Sequence, residues 1–329
     1  MTKPAAGRSA VSRREFVKLG VGAGAVLALN PLRLFAAEGA TGAGATTLPQ
    51  PEVWVIHDAD PAKLMRAAWK IMSQNGGLGP KLDKLTLKVN AAWDRNPDEG
   101  ANTHPVLVDT FLELCRTAGV KKVVMPELAC APAEKSFVNS GIKAAADKHH
   151  ADLIDLKKNK DLFVQKSIPG AKSLKDVMVG RDFLETDVLI NMPVAKNHGG
   201  ATFTCGLKNW MGAVQDRGFW HKNNMHQCIA DIGLLLQPAW TIIDATRVMA
   251  TNGPQGGPGK PGGPATEIRK PEQLILSRSQ VAADAVASTI LFESPAKVKY
   301  LVIAAEMGLG VIDPAAMKIH RLEAASILA

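Results

Sequence analysis

Asp187-Val188-Leu189-Ile190-Asn191-Met192-Pro193 is the stretch that decides the fold of this chain. Its apolar residues follow one another without polar alternation, and a proline closes the run. A strand with one wet face would alternate, so this is the profile of a strand buried on both faces in a parallel sheet.

Similar runs lie on either side, separated by helical stretches. Upstream, 53–57 reads as a strand and Pro61 opens a helix to Gln74, stopped by Asn75-Gly76-Gly77. Residues 85–89 and 122–125 read as strands around a helix over 105–117. A single alanine-rich helix over 132–148 and a strand over 153–156 follow, then a hairpin or insertion over 161–180. Downstream, helices are expected over 202–214, 223–236 and 281–292, with strands over 240–244 and 274–277. This order predicts an α/β fold, an open, mainly parallel sheet with helices on both faces.

In such sheets ligands lie beyond the carboxyl ends of the strands. Three predicted strand ends carry polar residues: Lys88 and Asn90, Asn191 with the following Lys196 and His198, and Asp244. Thr103-His104-Pro105 forms a helix start whose free N–H groups suit an anion. Lys208 and Asn209 lie on the helix expected after Gly199-Gly200. Lysines and a histidine converging on one edge suit a phosphate or carboxylate, and a lysine among other cations can lose its proton and act as a base. Lys196, His198 and Lys208 are therefore the catalytic candidates. Lys88, Asn90, Thr103, His104, Asn191, Asn209 and Asp244 are the ligand-binding ones. His221 and His226 are weak metal candidates, five apart and off a shared helical face.

The N-terminus carries Ser12-Arg13-Arg14-Glu15-Phe16-Val17-Lys18, followed by a glycine-rich apolar run from Leu19 to Leu29. This resembles a twin-arginine (Tat) export signal, with Arg13 and Arg14 as its paired arginines and the Tat machinery as the implied partner. At 11 residues the run is too short to span a bilayer, which takes about 20. Residues 1–40 are read as signal and start of a linker, 41–50 as flexible linker, and 51–329 as one α/β domain, periplasmic or otherwise exported and without a stable membrane span. The formal net charge is +8. Six basic residues against Glu15 put +5 of that before residue 37, and no basic block with interleaved aromatics follows, which argues against nucleic-acid binding.

The four cysteines, Cys115, Cys130, Cys205 and Cys228, form no Cys-x-x-Cys spacing, so neither an iron–sulfur cluster nor a zinc ribbon is encoded. The proline-glycine segment 253–264 lacks the glycine and hydroxyl positions of a phosphate loop and reads as a mobile surface loop, either a plain connection or a lid.

Lys88-Val89-Asn90, Thr103-His104-Pro105, 187–193, Lys196-Asn197-His198, Gly206-Leu207-Lys208-Asn209-Trp210-Met211-Gly212 and Ile243-Asp244-Ala245 together resemble the family catalogued as domain of unknown function 362, over about 84–310, ending with Asp284 and Gly308-Leu309-Gly310. The resemblance implies no established reaction. Relatives often carry an Asp-Pro pair where this chain has Ser279-Gln280, and some are joined to ferredoxin-type cysteine motifs that are missing here. Two expectations follow. One is an exported acid/base enzyme or cofactor protein acting on an anionic small molecule. The other is a non-catalytic periplasmic accessory or binding protein.

Overall fold

All five residues of the strand Val188–Met192 are buried, and the molecule is arranged around it. The computed structural model describes residues 50–257 and 265–329. The export signal and the linker read at 1–49 lie outside the described residues, as does 258–264 of the proline-glycine segment.

The chain begins with β1 (Glu52–His57), α1 (Pro61–Gln74), β2 (Leu85–Val89), α2 (Pro105–Thr117) and β3 (Val123–Glu127). It continues through α3 (Ala133–Asn139), α4 (Ile142–Lys148) and β4 (Asp152–Asp155), then the antiparallel hairpin β5 (Phe163–Ser167) and β6 (Asp176–Gly180). Next come β7 (Val188–Met192), β8 (Val194–His198), β9 (Thr202–Thr204), α5 (Gly206–Asn209), α6 (Arg217–Lys222) and α7 (Met225–Leu235). The rest is β10 (Trp240–Met249), β11 (Ile268–Arg269), β12 (Gln273–Ser277), α8 (Gln280–Ser288), α9 (Lys299–Glu306), β13 (Lys318–Glu323) and α10 (Ala324–Leu328).

The main sheet runs β13-β1-β12-β10-β7-β2-β3-β4. Along this path β12 alone opposes its neighbours, so the sheet is mainly parallel. Period-two alternation sorts its side chains into two cores. Val188, Ile190 and Met192 of β7 join Leu85, Leu87 and Val89 of β2 beneath α1 and α2, through Leu64, Leu107 and Phe111. Leu189 faces the other core, built with Ile229, Val281 and Leu301 from α7, α8 and α9. Helices thus cover both faces.

The chain leaves β2 toward β3 but leaves β7 toward β10, while β2 and β7 are paired neighbours. Their carboxyl ends therefore form a switch point, where diverging connections leave a crevice.

Three expectations need correction. The helix over 132–148 is two helices, because Ser140 ends the first and Gly141 takes a left-handed φ of 77° at the start of the second. The helix over 202–214 begins only at Gly206, since Thr202, Phe203 and Thr204 pair with His198, Asn197 and Lys196 around a Gly199-Gly200 turn. β7 does not end the strand direction either. Pro193 supplies no ladder donor, but its carbonyl accepts the Asp244 N–H at 2.8 Å, and β8 continues along β10. Lys196 and His198 consequently sit on a strand. Among the described residues no helix is long and apolar enough to cross a membrane.

Candidate functional site

Alternation along β2 puts Lys88 and Asn90 on the face away from Leu87 and Val89, and the register sets Lys88 beside Asn191 of β7. α5 covers this polar pair. Its Asn209 joins both strands: Nδ2 donates to Asn191 Oδ1 at 2.8 Å and to the Lys88 carbonyl at 3.3 Å, while Oδ1 accepts from Asn90 Nδ2 at 3.2 Å. Asn191 Nδ2 donates to the Gly206 carbonyl at 2.9 Å. The asparagines therefore satisfy one another and fix α5 against the sheet.

Asp284 of α8 holds α5 from beneath. Its carboxylate accepts the N–H groups of Gly206 at 2.7 Å and Leu207 at 2.9 Å, and burial raises its pKa to about 7. Gly206 is needed at this approach, because a Cβ there would lie 2.7 Å from Asp284 Oδ1.

The crevice opens into a cavity of about 480 Å³, lined among others by Asn90, Glu127, Lys196, His198, Lys208 and Arg217. Its charge is lopsided. Glu127 is the acidic group of the lining, and its Oε2 is already bound to Lys88 Nζ at 2.8 Å and to the Ala91 N–H at 3.0 Å. Lys196 is fully enclosed, donating to the Ala101 carbonyl and to Asn90 Oδ1 at 3.4 Å. Lys208, 7% exposed, has Met211 Sδ at 3.0 Å as its partner and no oxygen acceptor among the described residues. A thioether is a weak acceptor, so this largely buried ammonium has no counter-ion among the described residues. Thr204, also in the lining, has a buried Oγ1 with no hydrogen-bond partner among the described residues.

Burial pushes Lys196 down to about 7 and Lys208 down to about 8. It depresses Lys88 as well, against the opposing pull of Glu127. His198 falls to about 3, through burial first and then the charges of Lys208 and Lys196. Its Nδ1 accepts the N–H groups of Gly200 and Ala201, each at 3.0 Å, which leaves the ring proton on Nε2. The lining can thus offer an anion an ammonium, an imidazole N–H and a hydroxyl.

Of the residues read from sequence, Lys88, Asn90, Asn191, Lys196, His198, Lys208 and Asn209 are brought together. Lys88, Asn191, Thr103, His104 and Asp244 do not line the cavity, the first two being fully buried and bonded within the sheet and α5. Thr103 Oγ1 ties the Asn90 N–H to the Met192 carbonyl. The expected anion position at the start of α2 is filled internally: His104 Nδ1 accepts the Val106 N–H, and Asp244 Oδ2 accepts the His104 N–H. Asp244 also binds Arg247 at 2.9 Å. His221 on α6 lines the cavity, whereas His226 lies on α7 away from it. Among the described residues no three His, Cys, Asp or Glu side chains are grouped to hold a metal. All four cysteines are free, with Cys130 exposed.

Sequence reasoning missed Glu127, Arg217 and Trp93. Extending β3 through Pro126 would have placed Glu127 at a strand end. Arg217, whose guanidinium binds the carbonyls of Leu128 and Ala129, carried no comparable signal.

These protonation shifts predict a pH profile. Lys208 and Lys196 bind protons more weakly folded, near 8 and 7, than at their usual 10.5. Between those values the unfolded chain carries more protons, so the contribution of these two lysines to stability rises with pH from about 7 to 10.5. Asp284 acts oppositely, retaining between 3.8 and about 7 a proton that the unfolded chain has lost, so its contribution falls as pH rises through that range. Replacing Lys208 by Met removes an uncompensated cation and is expected to stabilise the protein at pH 7 by about 1–3 kcal/mol, with the gain shrinking toward pH 10. Thermal unfolding from pH 6 to 10 checks this; parallel profiles for the two proteins would contradict it.

A thylakoid-associated protein, sll1697, from Synechocystis sp. is 22% identical over 257 residues, covering 75% of each chain. Among solved structures, the lactate racemase apoprotein from Thermoanaerobacterium thermosaccharolyticum aligns with a TM-score of 0.38 at 12% identity. That alignment covers 59% of this chain and 50% of the racemase chain, so this chain spans half of that protein's length. The profile of the family described as domain of unknown function (DUF362) matches residues 85–289, more than half of the chain and all of the strands and helices that build the crevice. The chain belongs to the DUF362 family.

Proposed function

We propose that this protein is exported by the Tat route to the periplasm and there binds a small anionic molecule, a carboxylate or phosphate, in the cavity beyond β2 and β7. The observation that carries the binding reading is Lys208, a buried ammonium on the cavity wall whose partner is a thioether rather than an oxygen. A bound anion would supply the missing counter-charge, with His198 Nε2–H and Thr204 Oγ1 as further donors. A cavity of this size suits a metabolite or cofactor.

Lys196, with a pKa brought to about 7, is the group for proton transfer in an acid/base reaction. Its complete enclosure, with Nζ already donating to the Ala101 carbonyl, favours a second reading in which the protein carries the anion without chemistry. Residues 12–29 support the export part of the proposal through their paired arginine and short apolar run.

Binding an anion raises the pKa of the lysines around it. Inorganic phosphate should therefore bind with net proton uptake at pH 8, and its affinity should fall as pH rises from 7 to 9. Calorimetric titration in buffers of different ionisation enthalpy measures both. Lys208→Met is expected to weaken phosphate binding at least about tenfold, the scale of a lost charge-assisted contact; unchanged affinity would remove the basis of the reading. For export, exchanging both Arg13 and Arg14 for Lys should leave the protein in the cytoplasm on cell fractionation. Undiminished periplasmic protein would count against the Tat route.

A further inference from the structure

We propose that the anion taken by this cavity carries a flat unsaturated ring, and that Trp93 is the wall on which the ring stacks. The inference rests on the anion-binding reading of the same cavity and specifies the class of ligand.

Trp93 lines the cavity together with Lys208 and Arg217 and is half-buried. Its position in the loop after β2 is fixed by backbone bonds on both sides. The Trp93 N–H donates to Asn102 Oδ1 at 3.0 Å, and Asn102 Nδ2 donates back to the Trp93 carbonyl at 2.8 Å. Asn102 is itself buried, and its carbonyl accepts from Arg247 Nη2 at 3.1 Å. Arg247 is paired in turn with the fully buried Asp244. Asp244, off the cavity, thus helps to fix the backbone that presents the indole.

The ring nevertheless has no aromatic ring stacked on it and no cation over its face among the described residues. Four other tryptophans are engaged, Trp54 with Trp240 and His320, Trp69 with Phe111, and Trp210 with Phe183, and Trp220 is fully buried. An indole held on a rigid loop, partly open and unstacked beside a buried ammonium, is a platform for a planar group attached to an anion. Leu128, Met211 and Pro254 extend the apolar part of the same lining, and about 480 Å³ accommodates a ring together with its charged group. Stacking and charge recognition act on different parts of the ligand, so they can be separated by experiment.

Phenyl phosphate and cyclohexyl phosphate carry the same charged group and rings of similar size, one flat and one puckered. Calorimetric titration of the full chain with each, and with inorganic phosphate, tests the assignment. The unsubstituted protein should bind phenyl phosphate about tenfold more tightly than cyclohexyl phosphate, the scale of one base–aromatic stack. Trp93→Leu should erase that preference while keeping the affinity for inorganic phosphate, and Trp93→Phe should retain most of it. Equal affinity for the two esters in the unsubstituted protein would overturn the inference, as would a preference that survives Trp93→Leu, while phosphate binding left intact would preserve the underlying reading. Failure of all three anions to bind would overturn both. Should Trp93→Leu not fold, the comparison of esters in the unsubstituted protein and in Trp93→Phe decides.

Discussion

An ammonium group buried without an oxygen partner is the constraint on which the site depends. Charged groups leave water at a high cost unless paired and hydrogen-bonded, and proteins ordinarily relieve that cost with a carboxylate. Here the carboxylate of the lining, Glu127, is committed to Lys88, and Lys208 is left with Met211. Keeping Lys208 there requires that α5 cannot drift. Asp284 binds its first N–H groups, the Asn191–Asn209 pair ties it to β7, and Asn209 reaches across to β2. Two apolar cores, one on each face of the sheet, supply the stability against which this arrangement is maintained.

Close packing reinforces the same geometry. A Cβ at Gly212 would stand 2.1 Å from Glu127 Oε1 and 3.0 Å from Lys88 Nζ, so a glycine lets the chain after α5 pass directly over the buried ion pair. Glu127 Oε1 finds no hydrogen-bond partner there among the described residues. The polar crevice is thus assembled where β2 and β7 diverge, with α5 laid across their ends. Positive charge exceeds negative charge because α5 and α6 contribute Lys208 and Arg217 and no further acid to its lining.

Much of this was legible in the sequence because alternation and strand-end chemistry are local. The unbroken run 187–193 gave away a central strand, and the spacing of Lys88 and Asn90 correctly put both on one face. What local pattern could not convey was which polar groups are consumed internally. Thr103, His104 and Asp244 have the chemistry of ligand-binding groups, yet each is satisfied by backbone or by Arg247. Proline misled twice in opposite ways. Pro126 lies inside β3, which hid Glu127, and Pro193 interrupts the ladder without ending the strand direction, which hid the placement of Lys196 and His198 on β8. Trp93 comes from a connection and Arg217 from the first position of the short helix α6, where the sequence has no period to read.

Site-resolved titration of the lysine Nζ groups by NMR tests the central claim most directly. Protein labelled at lysine would be followed from pH 6 to 11, with Lys208→Met and Lys196→Met giving the assignments. The structure predicts that Lys208 and Lys196 titrate near 8 and 7, well below the exposed lysines, and that saturating inorganic phosphate moves Lys208 upward. A Lys208 that titrates with the surface lysines near 10.5, or one whose titration phosphate leaves in place, would contradict the account.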